Sequence, residues 1–408
     1  MMGRRQLPVA SRVEARAIRA ATVAAFAHDA RLPSALMREL RKLFDAQRSA
    51  LTDSGTSALV AALRLTAGKN GTVAYPGYAC VDLAAAARFA GVRVRLYDID
   101  PETLSPDLDS LAATVERGVD AIVIAHLYGF PADMRGVEKL ARSAGVPVIE
   151  DAAQGAGGTL DGRVLGSFGT LSILSFGRGK GTTGGNGGAL LSRDASLADS
   201  FSEMRRKLGP RPAGVRDLVG ITAQWFLGRP SLYGVPSSIP SLHLGEMVYH
   251  PAHEPRALSW VAASLVRKAL AAAPGDVAGR RRVAAALEMA ALEGADIRPV
   301  RPLEGAVSGY LRYPILDRGS RAERADMGIL RGYKLTLHQQ QELRPCLVGG
   351  EPPTPGAEEL ARTLFTLPTH YMVKPSDIKS MMEWLRVPTR LLVPIRERER
   401  APRAARSH

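Results

Sequence analysis

Lys180 stands in the glycine-rich run 175–188, and upstream of it the segment Ile149-Glu150-Asp151-Ala152-Ala153-Gln154 places two carboxylates side by side. A lysine amine forms an imine with a carbonyl cofactor, and a carboxylate beside a pyridine nitrogen keeps that nitrogen protonated as an electron sink. Those are the two groups that pyridoxal 5'-phosphate needs, and Lys180 and Asp151 can supply them. The cofactor's phosphate also needs donors, which small-residue loops at helix starts offer through exposed backbone N–H groups. Ser54-Gly55-Thr56 and Ser175 are placed to provide them.

Each residue also has a plainer reading. Lys180 could be an ordinary loop lysine, Asp151 a helix N-cap after a strand, and Ser54-Gly55-Thr56 a cap alone. A phosphate-loop lysine is excluded, because Leu174 stands where that loop's first glycine belongs and Gly181 where its Ser or Thr belongs. His126 is as readily a buried strand-end histidine as a residue near the cofactor. His250 and His253 offer two ligands with no third at metal spacing, so no metal is assigned.

The elements that must position these groups follow from periodicity. Leu32–Gln47 and Ser57–Thr66 have helical spacing, which puts Ser54-Gly55-Thr56 at a helix start. Strand signals at 71–75, 92–97, 121–126 and 146–149 alternate with helical stretches at 81–90 and 136–144, a pattern that predicts a mostly parallel sheet covered on both faces. Ligands collect at the carboxyl ends of such strands. Asp151 directly follows one strand, and Lys180 follows the strand-like stretch 171–176, so both fall on one sheet edge.

A chain of 408 residues, 46% hydrophobic, exceeds one ordinary domain. The expected division is an N-terminal helical extension (1–30), a large cofactor-binding domain (31–256), a small C-terminal α/β domain (257–390) and a basic tail (391–408). Prolines break up 205–255, which reads as a packed connector inside the large domain. Two distant cysteines, Cys80 and Cys346, give no disulfide framework and suit a reducing cytoplasm. The N-terminus lacks an uninterrupted apolar stretch, and later apolar runs are too short to span a bilayer, so neither a signal peptide nor stable membrane insertion is expected. The net charge of +14 is spread along the chain without a helix-turn-helix or aromatic RNA-binding pattern. That distribution excludes nucleic acid as a partner and leaves solvated tails or an anionic substrate such as a nucleotide sugar.

Five segments occur in order: Ser54-Gly55-Thr56-Ser57-Ala58-Leu59; Tyr75-Pro76-Gly77-Tyr78; His126-Leu127-Tyr128-Gly129 with Ala132-Asp133-Met134; Glu150-Asp151-Ala152-Ala153-Gln154; and Ser175-Phe176 with Lys180 and Gly187-Gly188. In this the chain resembles the DegT/DnrJ/EryC1/StrS aminotransferases, from about residue 30 to 195 and again near 358–385. The resemblance implies the α/β fold-type I (aspartate aminotransferase-like) architecture and a homodimer. It further implies a pyridoxal-phosphate enzyme that moves an amino group, from L-glutamate as donor, to a nucleotide-linked keto-sugar used in polysaccharide or glycan precursor synthesis. Lys180 would hold the cofactor and shuttle the proton. Asp151 would pair with the ring nitrogen, Gln154 would contact the phenolic oxygen, and Ser54, Gly55, Thr56 and Ser175 would bind phosphate. Three positions depart from the pattern. Cys80 stands where an aromatic residue usually stacks on the ring, Asn186 replaces a glutamate, and the partner-subunit Asn-Tyr-Arg motif is not recognisable near 256–259. A sugar dehydratase of the same fold usually carries histidine at the lysine position, which counts against that reading. A non-catalytic scaffold is opposed by the intact Lys180, Asp151 and Gln154.

Overall fold

The computed structural model describes residues 4–239, 248–294, 296–319, 321–350 and 352–386. The expected tail 391–408, and residues 240–247 of the proline-rich segment, lie outside them.

In chain order the strands are β1 (Arg48–Thr52), β2 (Thr72–Pro76), β3 (Arg93–Tyr97), β4 (Ala121–Ala125), β5 (Val148–Asp151), β6 (Thr159–Leu160) and β7 (Arg163–Val164). They continue with β8 (Leu171–Ser175), β9 (Gly188–Ser192), β10 (Ile297–Pro299), β11 (Ala306–Val307), β12 (Arg312–Asp317), β13 (Leu330–Arg331) and β14 (Leu364–Pro368). The helices are α1 (Ala15–Ala27), α2 (Arg31–Leu43), α3 (Gly55–Thr66), α4 (Asp82–Ala90), α5 (Leu108–Glu116) and α6 (Met134–Ala144). After them come α7 (Ala198–Lys207), α8 (Val215–Leu227), α9 (Gly234–Ser237), α10 (Trp260–Glu293), α11 (Pro355–Thr363) and α12 (Pro375–Arg386).

A seven-stranded sheet runs β1-β9-β8-β5-β4-β2-β3, with only β9 antiparallel to its neighbours. Its central strands are continuous apolar runs, as burial on both faces demands. In β4, Val123 joins the cluster under α3 and α4, whereas Ile122 and Ile124 turn to the cluster under α5 and α6. Leu51, Leu174 and Leu191 pack on α2 and on the first part of α10. Side-chain caps start several helices: Ser54 on α3, Asp107 on α5 and Asp133 on α6 each accept an N–H from three residues ahead.

The 34-residue α10 links this core to a smaller antiparallel sheet, β10-β12-β14-β13. Its early residues Ala262, Ala263 and Val266 pack on the large sheet, and its late residues Val283, Leu287, Ala290 and Ala291 pack on the small one. The class expected from the sequence, α/β with a mostly parallel sheet and a smaller C-terminal sheet, is the one found.

Three local expectations change. The helix expected over 32–47 stops at Leu43, because Asp45 turns with φ +48° and Gln47 already bonds to Ser192 in the next strand of the sheet, 2.9 Å. The segment expected to be irregular contains α8, whose one fully buried residue, Ile221, packs on α1 and α10. Residues 4–14 are not helical. They form a strap tied by Arg5 N–H to Pro230 O (3.0 Å), Gln6 N–H to Asp326 O (2.8 Å) and the Arg4–Asp377 ion pair at 2.6 Å.

Candidate functional site

Register brings the candidate residues to one edge of the large sheet. Ala125 pairs with Asp151, Asp151 with Ile173, Ser175 with Gly188, and Gly188 with Thr52. The residues that follow these strand ends, His126, Ser54 and the 176–187 loop, therefore surround a common space. Ser54, Gly55, Thr56, Cys80, Asp151, Gln154, Ser175 and Lys180 all line one cavity of about 800 Å³.

The start of α3 forms one end of it. Ser54 Oγ accepts the Ser57 N–H and donates to Ser57 Oγ, both at 2.9 Å, so this hydroxyl is spent on capping. Gly55 and Thr56 carry the first helical amides, which have no partner within the helix and sit at the positive end of its dipole. A Cβ on Gly55 would lie 2.8 Å from Ser175 Cβ, so only glycine lets the helix start approach the end of β8 this closely. Amides from α3 and hydroxyls from Thr56 and Ser175 thus converge where an anion can be held.

Lys180 sits on the loop between β8 and β9, held across its base by Phe176 N–H to Gly187 O (2.7 Å) and Gly184 N–H to Phe176 O (2.9 Å). The closure needs Gly187, whose φ is +115° and whose Cβ would strike Leu258 Cδ1 at 2.2 Å.

Asp151 is buried at the end of β5, and no helix starts there for it to cap. Burial pushes its carboxyl above the ordinary carboxylate range, against the Ala153 N–H bond at 2.9 Å and the charge of Lys180. Neighbouring Glu150 is also buried but goes the other way. Desolvation alone would raise it, yet donors from His126 Nε2 (2.9 Å), Gly166 N (2.6 Å), Phe168 N (2.8 Å) and Ser172 Oγ (2.8 Å) bring it below the usual value. His126 accepts the Ala132 N–H on Nδ1 at 3.1 Å, so Nε2 carries the proton that faces Glu150. Two adjacent carboxylates thus have separate uses, Glu150 inside the scaffold and Asp151 facing the cavity.

Gln154 Oε1 accepts the Tyr128 N–H at 3.0 Å, and Nε2 donates to Tyr333 Oη at 2.6 Å, which leaves one Nε2 hydrogen. Burial drives the Cys80 thiol strongly upward, so it is a neutral wall rather than a nucleophile. Beyond it, the Tyr333 ring packs 5.2 Å from Tyr78 and 5.7 Å from Tyr128.

Two elements near the site had no clear signal in the sequence. Arg216, Asp217, Gly220 and Ile221 of α8 line the cavity, as do Arg178, Asn186 and His250. The apolar run 219–227 was the available sign of α8, hidden by the prolines around it. The strap is the other, and it lies against the Lys180 loop: Ser11 Oγ donates to the Lys180 carbonyl, and Val9 lies where a Cβ on Gly179 would go.

His370 anchors this strap. Its Nε2 donates to Leu7 O at 3.0 Å, and its pKa falls to about 4 because burial opposes the charge and Arg312 and Arg4 repel it, more than Leu7 O and Asp377 favour it. The unfolded chain therefore takes up this proton near pH 6.5 and the folded one only near pH 4. Stability from neutral His370 is complete above pH 6.5 and is lost as pH falls toward 4. The melting temperature of His370→Gln should therefore depend less on pH across this window than that of the parent protein; parallel curves would refute it.

Among the described residues, no group of three or more His, Cys, Asp or Glu is arranged to hold a metal, and no helix is long and apolar enough to cross a membrane.

The sequence pattern of the DegT/DnrJ/EryC1/StrS aminotransferase family matches residues 14–222. The UDP-N-acetyl-3-dehydro-alpha-D-glucosamine 3-aminotransferase of Acidithiobacillus ferrooxidans is 35% identical over 37% of this chain and 42% of its own length. The L-glutamine:2-deoxy-scyllo-inosose aminotransferase of Streptomyces kanamyceticus is 35% identical over 42% of this chain and 41% of its own. The chain thus matches about two-fifths of the length of these curated relatives. Among solved structures, DesI with its TDP-sugar product superposes with a TM-score of 0.75 at 21% identity, over 98% of this chain and 97% of that one. The protein Spr1654 from Streptococcus pneumoniae in its PMP form gives a TM-score of 0.75 at 17% identity, over 96% and 100%. These two share the fold.

Proposed function

The chain belongs to the DegT/DnrJ/EryC1/StrS aminotransferase family, and from that premise we propose that it is a pyridoxal-phosphate-dependent aminotransferase acting on a nucleotide-linked keto-sugar. The observation that carries the reading is the single cavity onto which Lys180, the buried Asp151 and the start of α3 all open. The donor is an amino acid, L-glutamate in this reading. The chain works as a homodimer in the cytoplasm, in the making of polysaccharide or glycan precursors. Residues 31–256 form the cofactor-binding domain and 257–390 the small one.

The donor set fits pyridoxal phosphate. Gly55 and Thr56 amides with the Thr56 and Ser175 hydroxyls would take the phosphate, and Asp151, whose carboxyl is raised by burial, would take the protonated ring nitrogen. Gln154 has one N–H left for the phenolic oxygen, and Cys80 would pack on the ring with less area than an aromatic residue. Ser54 contributes by positioning α3 rather than by its hydroxyl.

When bound, the cofactor supplies an electron sink for negative charge at the carbon next to the amine. Lys180 would hold it through Nζ and, once the donor amine takes that place, would take and return the proton at that carbon as general base and acid. Asp151 would set its negative charge against the ring nitrogen. The strap and α8 keep bulk water from Lys180.

The test is the visible spectrum of the purified protein with pyridoxal phosphate, before and after L-glutamate, with L-glutamine in parallel. A cofactor band that either amino acid bleaches to the pyridoxamine form is expected. A band that ignores both overturns amino transfer, and absence of any band overturns the cofactor.

A further inference from the structure

One stretch of the cavity wall beside Lys180 is basic. Arg178 stands two residues before Lys180 on the loop between β8 and β9, and Arg216 stands in the first turn of α8; both line the cavity and both are exposed. The two cations meet at the same part of α8. A Cβ on Gly220 would lie 3.0 Å from Arg178 Nη2, so the Arg178 guanidinium rests on the helix where a side chain would otherwise stand. Arg216 precedes Gly220 by four residues, on the same helix face and one turn away, which separates the two positions by about 5–6 Å.

Among the described residues, neither arginine side chain makes a hydrogen bond or an ion pair. Three carboxylates line the same cavity, and each is engaged elsewhere. Asp217 accepts the Ser259 hydroxyl, Asp151 accepts the Ala153 N–H at 2.9 Å, and Asp82 acts on the Cys80 thiol. Gly220 adds a second observation. It stands inside the 13-residue α8, where glycine is less favourable than alanine, and what its missing side chain provides is the place of the Arg178 guanidinium. Like charges a turn apart repel, and an anion between them removes the repulsion and gains charge-assisted hydrogen bonds.

We propose that Arg178 and Arg216 clamp a diphosphate carried by the acceptor, so that the pair selects a nucleoside-diphosphate-linked keto-sugar over an uncharged keto-sugar or keto-cyclitol. This deepens the amino-transfer reading above and rests on it. Each guanidinium offers a planar fork of donors to a phosphoryl group. Two forks on one wall match two linked phosphoryl groups, whereas one fork would satisfy a single carboxylate. An uncharged acceptor would leave both cations unused. The cofactor's own phosphate has other donors, the half-buried Gly55, Thr56 and Ser175, while the arginines are exposed, where a linkage leading out to a nucleoside runs. Because Arg178 shares its loop with Lys180, a diphosphate held there leaves the sugar ring on the side of the reacting amine. Arg178 and Arg216 are therefore specificity residues for the acceptor.

The test is calorimetry of the cofactor-loaded protein with UDP, dTDP and inorganic pyrophosphate, and with uridine as the phosphate-free control. Saturable diphosphate binding is expected, weaker on the order of 10-fold in Arg178→Gln and in Arg216→Gln and on the order of 100-fold in the double variant, with no loss for uridine. Arg178→Lys should recover part of the loss. Diphosphate affinity unchanged in the double variant overturns the proposal. The double variant titrated with pyridoxal 5'-phosphate should bind it as the parent does; an equal loss of cofactor affinity would reassign the pair to the cofactor's phosphate and also overturn it. Gly220→Ala separates binding from folding. It should melt no lower than the parent, since alanine suits a helix better, yet bind UDP more weakly, since its Cβ displaces the Arg178 guanidinium. UDP affinity that falls across these variants only together with the melting temperature would mark the arginines as structural. If UDP binds through the arginines while no amino acid converts the cofactor, amino transfer fails and the diphosphate site stands. If the loaded enzyme aminates an uncharged keto-cyclitol and UDP neither binds nor inhibits, amino transfer stands and the proposal fails.

Discussion

Lys180→Ala should lower amino transfer by at least about 10⁴-fold, because one side chain both anchors the cofactor and moves the proton, and general base catalysis alone contributes up to about that factor. The substitution should leave the fold intact. Lys180 is only partly buried, its Nζ makes no hydrogen bond to a described residue, and its loop is held by backbone bonds between 176 and 184–187. The measurements are single-turnover conversion of added cofactor and donor, together with a thermal melt. Partial return of the rate with a small added alkylamine would identify the missing part as the proton-moving amine. A variant that melts normally and still turns over would remove Lys180 from the chemistry.

Asp151→Asn should cost on the order of 10²–10³-fold in the same half-reaction, the usual range for deleting one preorganised electrostatic partner. Asparagine keeps the shape and can still accept the Ala153 N–H, but it offers no charge to a protonated ring nitrogen. The cofactor should still bind, with its visible band shifted. Stability should move the other way. A carboxyl whose folded pKa lies above its unfolded value of 3.8 weakens the fold at pH values above that range, and the penalty fades as pH falls below it. The cofactor-free Asn variant should therefore melt at or above the parent temperature at pH 7. Lost rate combined with a lowered melt would mean that Asp151 is a scaffold residue. The corresponding change Glu150→Gln turns one of two oxygens, each of which accepts two hydrogen bonds, into an NH2 that faces donors, and should destabilise the protein instead.

Much of this site is legible in the sequence, because its local parts carry local signatures. The alternation of apolar runs and helical stretches gave the sheet class, since a strand buried on both faces must be apolar throughout. Ser54-Gly55-Thr56 announced a helix start by cap chemistry, and placing Asp151 and Lys180 just beyond strands put them on one edge. Boundaries failed where local signals overlapped. Helical spacing continues past Leu43, but pairing of Gln47 with Ser192, far along the chain, decides that the segment becomes a strand.

Residues brought in by packing left no comparable trace. α8 lies among prolines that read as loop, and it becomes a wall because Ile221 packs between α1 and α10. The strap over Lys180 depends on bonds from residues 4–11 to Pro230, Asp326 and His370. By itself the sequence determined the fold class and singled out Lys180, Asp151 and the helix start at Ser54-Gly55-Thr56 as candidates, because those depend on residue type and short spacing. Only the tertiary structure decided that Glu150 is taken up by four donors within the scaffold, and which arginines among the described residues are buried. Burial and the supply of partners are set by long-range packing, here of β12 between β10 and β14, and a stretch of chain taken alone does not contain them.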